Sequence, residues 1–462
     1  MRSVRSLLIL LFIALALRLG LLVFTQTTPL VVSDERDYVA LAESILDRGE
    51  FAFEPGRPTS MRPPLYPAFL AGVFAVAGAG NLQAVRFAQI AVSLALIVVV
   101  YCLGTRMYDG RIGLVAAGVV GFYPSLLLAN YLLLTELLFT LFVLLGCLAL
   151  VRLLDGGSKA ALWATVTGLS VGLAALTRSV LWPFPLVLVP FAGLVVGGSA
   201  RRRIGLAAVV LAGYAVVVVP WAARNTRLQG VVTIVDTMGG MNLRVGNYEH
   251  TPDDRMWSAP FSYNDERLWS LGIGRRGDDW RHWTDGEKEK RAQRKALEYM
   301  VAHPGITLRR SAIRFADFWG LEREFVALVR DGKYHPPGWF VAIGALAITV
   351  SFAAVALLAI VGIFGAPPHD LRVHAFSLLL ILFICGVHSL VFAHSRYRLP
   401  LTPLLAIYAS AALVIRPSWT STPRTARVAS ASACVLLVVI WIRQLMLSDA
   451  SRVRDLLKAL WP

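Results

Sequence analysis

The feature that most limits this chain is a series of apolar runs long enough to cross a lipid bilayer. Residues 7–24, 85–103, 204–221, 339–364 and 373–392 each reach roughly the 18 residues that a spanning helix needs. Of the 462 residues, 56% are hydrophobic and 16% charged, well under the ~25% charged residues of an ordinary soluble domain. Backbone groups in lipid must bond to one another, so a chain with many such runs folds as a helical bundle. The fold class is therefore an all-α polytopic membrane protein.

Charge orients the bundle. The formal net charge is +16, and its basic residues gather between spans: Arg106 with Arg111, Arg152 with Lys159, arginines 201–203, Arg372, and Arg416 with Arg424. Such clusters mark the cytoplasmic side and sit beside anionic lipid, which accounts for the basic balance without a nucleic-acid partner. All five fall on one side only if the segment 65–80 does not cross. That segment is opened by Pro63-Pro64 and carries Pro67, Gly72, Gly78 and Gly80. At about 16 residues it reads as interfacial or re-entrant.

About eleven spans remain, near 6–24, 85–105, 112–133, 136–152, 160–177, 179–198, 204–222, 339–364, 373–392, 399–415 and 428–446. The first follows Arg2 and Arg5 as a signal peptide would. Arg18 interrupts it and no small-x-small site follows, so it reads as an uncleaved anchor. Residues 1–222 form an N-terminal transmembrane module with an outer loop at 25–84. Residues 223–338 form a small extracytoplasmic cap, and 339–462 the C-terminal transmembrane helices. The cap carries Asp253, Asp254, Asp278, Asp279, Trp257, Trp269, Trp280 and Trp283. Residues 288–300 predict a helix. An amphipathic helix follows over 303–319, with Arg309, Arg310 and Arg314 opposite Ile306, Ile313 and Phe318, and is expected to lie on the membrane surface. Cys102, Cys147, Cys385 and Cys434 lie inside apolar spans without a CxxC pair, which makes them packing residues.

Other charges sit at the outer ends of spans, where the positive-inside rule does not call for them. Asp34 and Glu35 open a helical pattern whose stripe is Tyr38, Leu41, Ala42, Ile45 and Leu46. They serve either as first-turn acids behind a Ser33 cap, or as a carboxylate held rigidly at the water boundary, where a general base belongs. Arg62 and Arg86 either snorkel or clamp a phosphate, whose oxygens match the guanidinium fork. Glu136 lies between leucines, where a carboxylate needs a partner unless it merely opens a helix after Thr135. Arg178 punctuates two apolar runs as a tight turn or as a ligand. The segment His394-Ser395-Arg396-Tyr397-Arg398 reads as an anion site. Arg224 and Arg227 also fall on this face. No histidine pair has metal-ligand spacing.

Asp34-Glu35-x-x-Tyr38, Arg62-Pro63-Pro64-Leu65-Tyr66-Pro67, Val85-Arg86-Phe87 and Leu134-Thr135-Glu136 resemble, in order and spacing, bacterial family-39-type glycosyltransferases. That group includes lipid-A aminoarabinose transferases and is related to protein O-mannosyltransferases. The likeness continues through the segment ending in Arg178, Pro220-Trp221 with Arg224-Asn225, Gly239-Gly240 with Asn242 to Asn247, and Arg396-Tyr397-Arg398.

The resemblance implies a GT-C-type bundle with outer juxtamembrane helices and an active site at the outer membrane–water boundary of a bacterial inner membrane. It implies transfer of a sugar, with inversion, from a polyprenyl-phosphate donor to an envelope glycan, lipid or protein acceptor. Asp34 is then the expected base, with Glu35 and Glu136 supporting it. Arg62, Arg86, Arg178, Arg396, Tyr397 and Arg398 are expected on the donor, and Asn242 and Asn247 on the acceptor side. Some relatives place a metal-binding acid or His where this chain has Ser60-Met61, so no cofactor is certain and a divalent metal stays open. The alternative is a transporter or flippase of lipid-linked sugars, which would carry paired charges near mid-membrane and internal repeats. A non-catalytic sugar-binding or assembly protein is a third.

Overall fold

The computed structural model describes residues 2–23, 30–253, 282–322, 338–418 and 422–450, with a few single positions besides. Asp254, Asp278, Asp279, Trp257, Trp269 and Trp280 of the cap lie outside the described residues. Helices make up nearly all the regular structure, and a two-stranded ribbon, Ala52–Glu54 with Arg57–Pro58, is the one sheet among the described residues.

Nine described helices are long and apolar enough to cross a membrane: Val4–Val23, Leu82–Met107, Glu136–Leu154, Ala160–Thr177, Ala200–Gln229, Gly338–Gly365, Leu371–Leu390, Ser395–Ile415 and Arg424–Ser448. Two of the eleven expected runs are not single continuous helices, and both are interrupted at proline. The run 112–133 is a helix over Gly110–Gly121 that breaks at Phe122-Tyr123 before a short helix, Pro124–Ala129. Tyr123 is extended (φ −67°, ψ 118°), as the residue before a proline must be, because the ring excludes helical backbone there. The run 179–198 becomes a 3₁₀ turn, Ser179–Leu181, and an 11-residue helix, Pro185–Val195. Eleven residues rise only about 16 Å, short of the roughly 30 Å hydrocarbon core. Residues Leu65–Ala77 form a 13-residue helix, also too short to span alone.

In chain order the helices are α1 (Arg2–Val23), α2 (Ser33–Arg48), α3 (Leu65–Ala77), α4 (Leu82–Met107), α5 (Gly110–Gly121), α6 (Pro124–Ala129), α7 (Glu136–Leu154), α8 (Ala160–Thr177), α9 (Pro185–Val195), α10 (Ala200–Gln229) and α11 (Gly239–Gly246). They continue as α12 (Asp285–Ala302), α13 (Pro304–Trp319), α14 (Gly338–Gly365), α15 (Leu371–Leu390), α16 (Thr402–Ile415) and α17 (Arg424–Arg443).

Small residues bring α8 and α10 together. A Cβ on Gly168 would run into the Val210 carbonyl oxygen, and one on Gly213 would lie 2.8 Å from that of Thr165. Helices in lipid gain little from burying apolar surface against each other, so close backbone approach of this kind supplies the attraction. Arg18, the charge inside the first span, is fully buried, and its guanidinium donates to Ser93 and to the carbonyls of Ala14 and Gly121 at 3.0–3.1 Å. That bonding makes it a strut rather than a mobile charge.

The basic clusters converge. Arg106 pairs with Asp155 at 3.1 Å, Arg202 donates to the Gly157 carbonyl at 3.2 Å, and Arg372 donates to that of Leu154 at 3.3 Å. All lie at one end of α4, α7, α8, α10 and α15. Glu136, Arg178 and Arg224 mark the opposite ends of α7, α8 and α10.

Over that opposite end lie α12 and α13. Thr284 opens α12 with a capping box: its hydroxyl accepts from Glu287 N–H at 3.2 Å, and the Glu287 carboxylate accepts from Thr284 N–H at 2.8 Å. Helix α13 departs from the expected amphipathic arrangement at two of its three arginines. Arg310 and Arg314 face inward, where Arg310 donates to the carbonyls of Tyr248 and Thr251, and Arg314 to those of Gly246 and Leu390. Leu308 is 74% exposed instead. Carbonyls left open by the irregular 246–251 segment need donors, and two arginines one turn apart supply them.

Candidate active site

A cavity of about 450 Å³ opens where α2, the 61–63 segment, the first turn of α7, the end of α8, the 232–243 segment, α12, the end of α15 and Arg396-Tyr397 meet. Its size falls in the roughly 300–1,000 Å³ range of small-molecule sites.

Helix α2 brings Asp34 to this cavity through its neighbour. Ser33 is not the cap. Glu35 reaches back, its Oε2 accepting from Val31 N–H at 2.7 Å and Val32 N–H at 2.8 Å, while Oε1 accepts from Leu133 N–H at 2.8 Å. Glu35 is 1% exposed and absent from the cavity wall, so the structure gives it a structural part: it ties the start of α2 to the residues that lead into α7. Asp34 and Glu136 consequently face the same space.

Three arginines and these two acids form one lattice. Arg62 Nη2 donates to Asp34 Oδ1 at 2.8 Å and to Asp37 Oδ2 at 2.7 Å. Arg396 bridges the acids, with Nη2 3.4 Å from Asp34 Oδ2 and Nε 3.3 Å from Glu136 Oε1. Arg178 Nη1 completes the set, 2.9 Å from the same Glu136 oxygen. Glu136 Oε2 is buried and has no partner among the described residues. Burial alone would push the Asp34 carboxyl up. The Arg62 and Arg396 guanidiniums outweigh it and hold Asp34 below the usual carboxylate range. Asp37, one turn after Asp34 on the same helix face, was not singled out from the sequence although the i, i+3 spacing signals it.

Arg62 is aimed by a second network below it. Arg224 donates to the Thr59 carbonyl at 2.6 Å, and the Ser60 hydroxyl donates to Asn225 Oδ1 at 3.0 Å. Gln229 Nε2 donates to the Ser60 hydroxyl oxygen at 3.0 Å. The Pro220-to-Asn225 motif thus supports the segment that carries Arg62.

Tyr397 lines the cavity with Arg178 5.2 Å and Arg396 5.8 Å from its ring centroid. Against the Tyr397 ring stacks His388, and Phe318 stacks on His388 in turn. His388 lies inside an apolar span, and sequence reasoning passed over it. The far wall was also missed in part: besides Asn242, it carries Asp236, Glu289, Lys290 and Gln293. Burial pushes the Asp236 and Glu289 carboxyls up; the Ser179 hydroxyl and Met238 N–H at Asp236, and the Lys290 charge and Gly240 N–H at Glu289, oppose that only in part.

Several expected ligands lie elsewhere. Arg86 is 1% exposed and donates to the Tyr131 carbonyl at 3.2 Å. Arg398 donates to the carbonyls of Phe318 and Gly320 and covers the Phe352 ring. The Asn247 amide donates to the Leu243 and Leu390 carbonyls and accepts from Arg314. None of the three lines the cavity. Among the described residues no group of three or more His, Cys, Asp or Glu is placed to hold a metal ion.

Residues 61–223 match the dolichyl-phosphate-mannose-protein mannosyltransferase family. Arg62, Glu136 and Arg178 fall inside that stretch, and Asp34 and Arg396 outside it, so the likeness to protein mannosyltransferases read from the motifs is met over the centre of the N-terminal module. No curated protein matches the sequence. Among solved structures, the oligosaccharyltransferase of Archaeoglobus fulgidus in complex with Zn and sulfate is similar at TM-score 0.47 and 14% identity, over 92% of this chain and 53% of that one. The AglB enzyme of the same organism, with an inhibitory peptide and a dolichol-phosphate, gives 0.46 and 14% over 96% and 55%. ArnT from Cupriavidus metallidurans bound to undecaprenyl phosphate gives 0.39 and 15% over 88% and 77%. The chain spans about half the length of the archaeal structures it resembles.

Proposed function

We propose that this protein is a membrane glycosyltransferase that moves a sugar from a polyprenyl-phosphate donor to a hydroxyl acceptor, with inversion, at the outer face of a bacterial inner membrane. The observation that carries the reading is the lattice itself. Three arginines converge in a cavity at the ends of apolar helices, balanced by carboxylates that an incoming phosphate can displace. The match of residues 61–223 to a family named for transfer from a dolichyl-phosphate sugar supports it. So does the position of the cavity at the helix ends opposite the basic clusters, since those clusters mark the cytoplasmic side. An apolar lip at the cavity, with Trp182 40% and Val232 65% exposed, suits an isoprenoid chain lying in the bilayer.

The free lattice explains how Asp34 becomes a base. While Arg62 and Arg396 hold it, the carboxylate is a poor proton acceptor. A donor phosphate draws both guanidiniums onto its own oxygens, and the Asp34 pKa rises toward a useful value as they leave. The acceptor hydroxyl then gives its proton to Asp34 while its oxygen attacks the anomeric carbon from the far side. The carbon–oxygen bond to the phosphate breaks, and its electron pair passes to the phosphate, where Arg62, Arg178 and Arg396 stabilise it. Glu136 Oε2, with no protein partner among the described residues, is available to a substrate hydroxyl.

The test is a paired assay of wild type and Asp34→Asn in detergent, with labelled polyprenyl-phosphate sugars and envelope extract as acceptor. Consumption of one donor by wild type, reduced at least about a hundredfold in the variant, supports both the transfer and the base. Equal consumption moves the base elsewhere. Transbilayer movement of those lipids in liposomes, without transfer, supports the flippase alternative.

A further inference from the structure

We propose that His388 forms a hydroxyl-accepting subsite for the donor's sugar, a role that rests on the transferase reading. The tautomer of the ring comes first. His388 Nδ1 lies 3.0 Å from the Phe392 carbonyl oxygen, one turn further along the chain. A carbonyl can only accept, so Nδ1 carries the proton and donates. Nε2 is left as the ring's acceptor edge, and it has no hydrogen-bond partner among the described residues.

The ring is also held still. Phe318 lies 5.7 Å away at 24° and Tyr397 4.7 Å away at 20°, so the imidazole is part of a three-ring stack. Phe318 is fully buried and fixes the back of that stack. A ring gripped by neighbouring rings and tied at Nδ1 has almost no rotational freedom left. Its open nitrogen therefore presents an acceptor in a fixed direction, as recognition of one particular hydroxyl requires.

Placement decides which hydroxyl. The Tyr397 ring that stacks on His388 also carries the Arg178 and Arg396 guanidiniums within 6 Å of its centroid. An anion held by those arginines lies about one stacked ring from the imidazole. The sugar is bonded directly to that phosphate, so its hydroxyls fall in this space. The acceptor's reactive hydroxyl belongs beside Asp34 instead. His388 is thus a specificity-determining residue for the sugar, and it contributes nothing to binding the phosphate.

The experiment compares lipid binding by the full-length protein in detergent. Undecaprenyl phosphate is one probe. Undecaprenyl-phosphate mannose, glucose and arabinose are the others. The variants are His388→Phe, which keeps the stack and removes the acceptor, and His388→Gln, whose Oε1 can reach the position of Nε2. Wild type is expected to bind one sugar-bearing lipid more tightly than undecaprenyl phosphate. His388→Phe should lose about tenfold of that affinity, the worth of one buried hydrogen bond, with undecaprenyl phosphate bound as before. His388→Gln should recover part of the loss.

A sugar preference unchanged in His388→Phe overturns the proposal and leaves the transferase reading intact. Equal loss for all four lipids also overturns it, because it makes His388 part of the phosphate site. Wild type that binds undecaprenyl phosphate yet prefers no sugar removes the donor subsite. If His388→Phe does not fold, His388→Leu puts the same question without the acceptor atom. Wild type that binds none of the four lipids and transfers nothing overturns the transferase reading, and this inference with it.

Discussion

Two sets of arginines occupy the membrane-boundary end of this molecule, one half-buried and one fully buried. Arg62, Arg178 and Arg396 have side chains 16–18% exposed, and each is bonded to a carboxylate. Arg86, Arg314 and Arg398 are 0–2% exposed, and each donates to at least one backbone carbonyl. The difference lies in what could replace the partner. A carboxylate and a phosphate compete for the same guanidinium fork, so the first set can exchange partners when substrate arrives. A backbone carbonyl belongs to the fold and cannot leave. Buried arginine is therefore not a sign of function here until its partner is known.

The sharpest way to break this contrast is to remove one arginine from each set. Arg314→Ala removes the Arg314 donor from the Gly246 carbonyl and the Asn247 side-chain oxygen, and leaves the Leu390 carbonyl with Asn247 alone. Each lost partner costs about 1–3 kcal/mol, so a total stability loss of about 3–5 kcal/mol is expected, seen as early thermal unfolding or poor recovery in detergent. Arg62→Ala should do the opposite. Turnover should fall by about two to three orders of magnitude, about 3–4 kcal/mol of transition-state stabilisation, with unfolding near the wild-type temperature. A rise in KM alone would place Arg62 in ground-state binding and end its leaving-group role. Collapse of Arg62→Ala, together with a stable Arg314→Ala, would erase the distinction between the sets.

The sequence carried much of the first set and misassigned the second. Arg62, Glu136, Arg178 and Arg396 stood out because charges at outer span ends defy the positive-inside pattern, and the structure brings them into one lattice with Asp34. The same signal also flagged Arg86 and Arg398, because exposure of a span end says nothing about which acceptor lies opposite. That is settled by long-range pairing: Arg396 meets Asp34 across 362 residues of chain, while Arg398, two positions on, meets the Phe318 carbonyl across 80. A 3₁₀ helix at 395–401 turns two neighbouring arginines to different surroundings, and no local pattern announces its register. Most of the bundle was legible from apolar length alone. The two runs that are interrupted contain the prolines that break them, at 124 and at 183, 185 and 190. His388 was hidden for a different reason. One histidine in an apolar helix is ordinary, and only the rings from two other segments give it meaning.

Acids at the same boundary divide as the arginines do, and Glu35→Gln tests this at smaller amplitude. The Glu35 carboxylate accepts three backbone N–H groups, and an amide offers one oxygen in place of two. A loss of about 1–3 kcal/mol is expected, read as a lower unfolding temperature, with transfer by the folded fraction within about threefold of wild type. A stable Glu35→Gln protein as inactive as Asp34→Asn would return Glu35 to the chemistry.

The smallest effect concerns the two walls of the cavity, whose acids are displaced in opposite directions. Asp34 is held down by Arg62 and Arg396 against its burial, so its stabilising contribution is full above the unfolded-state pKa near 3.8 and is lost as pH falls through the still lower folded value. Glu289 is pushed up by burial, so the folded state favours its protonated form. It adds stability below about pH 4.5 and gives that up as pH rises through its folded value, leaving a penalty at neutral pH. Glu289→Gln should therefore raise the unfolding temperature slightly at pH 7 and lose that advantage near pH 4. Asp34→Asn should lower it at pH 7, by an amount that shrinks toward pH 3. If both variants shift in the same direction at pH 7, the far wall is a paired, arginine-compensated surface like the near one. A buried acid there, with no arginine against it among the described residues and its carboxyl pushed up by burial, is suited instead to share hydrogen bonds with sugar hydroxyls.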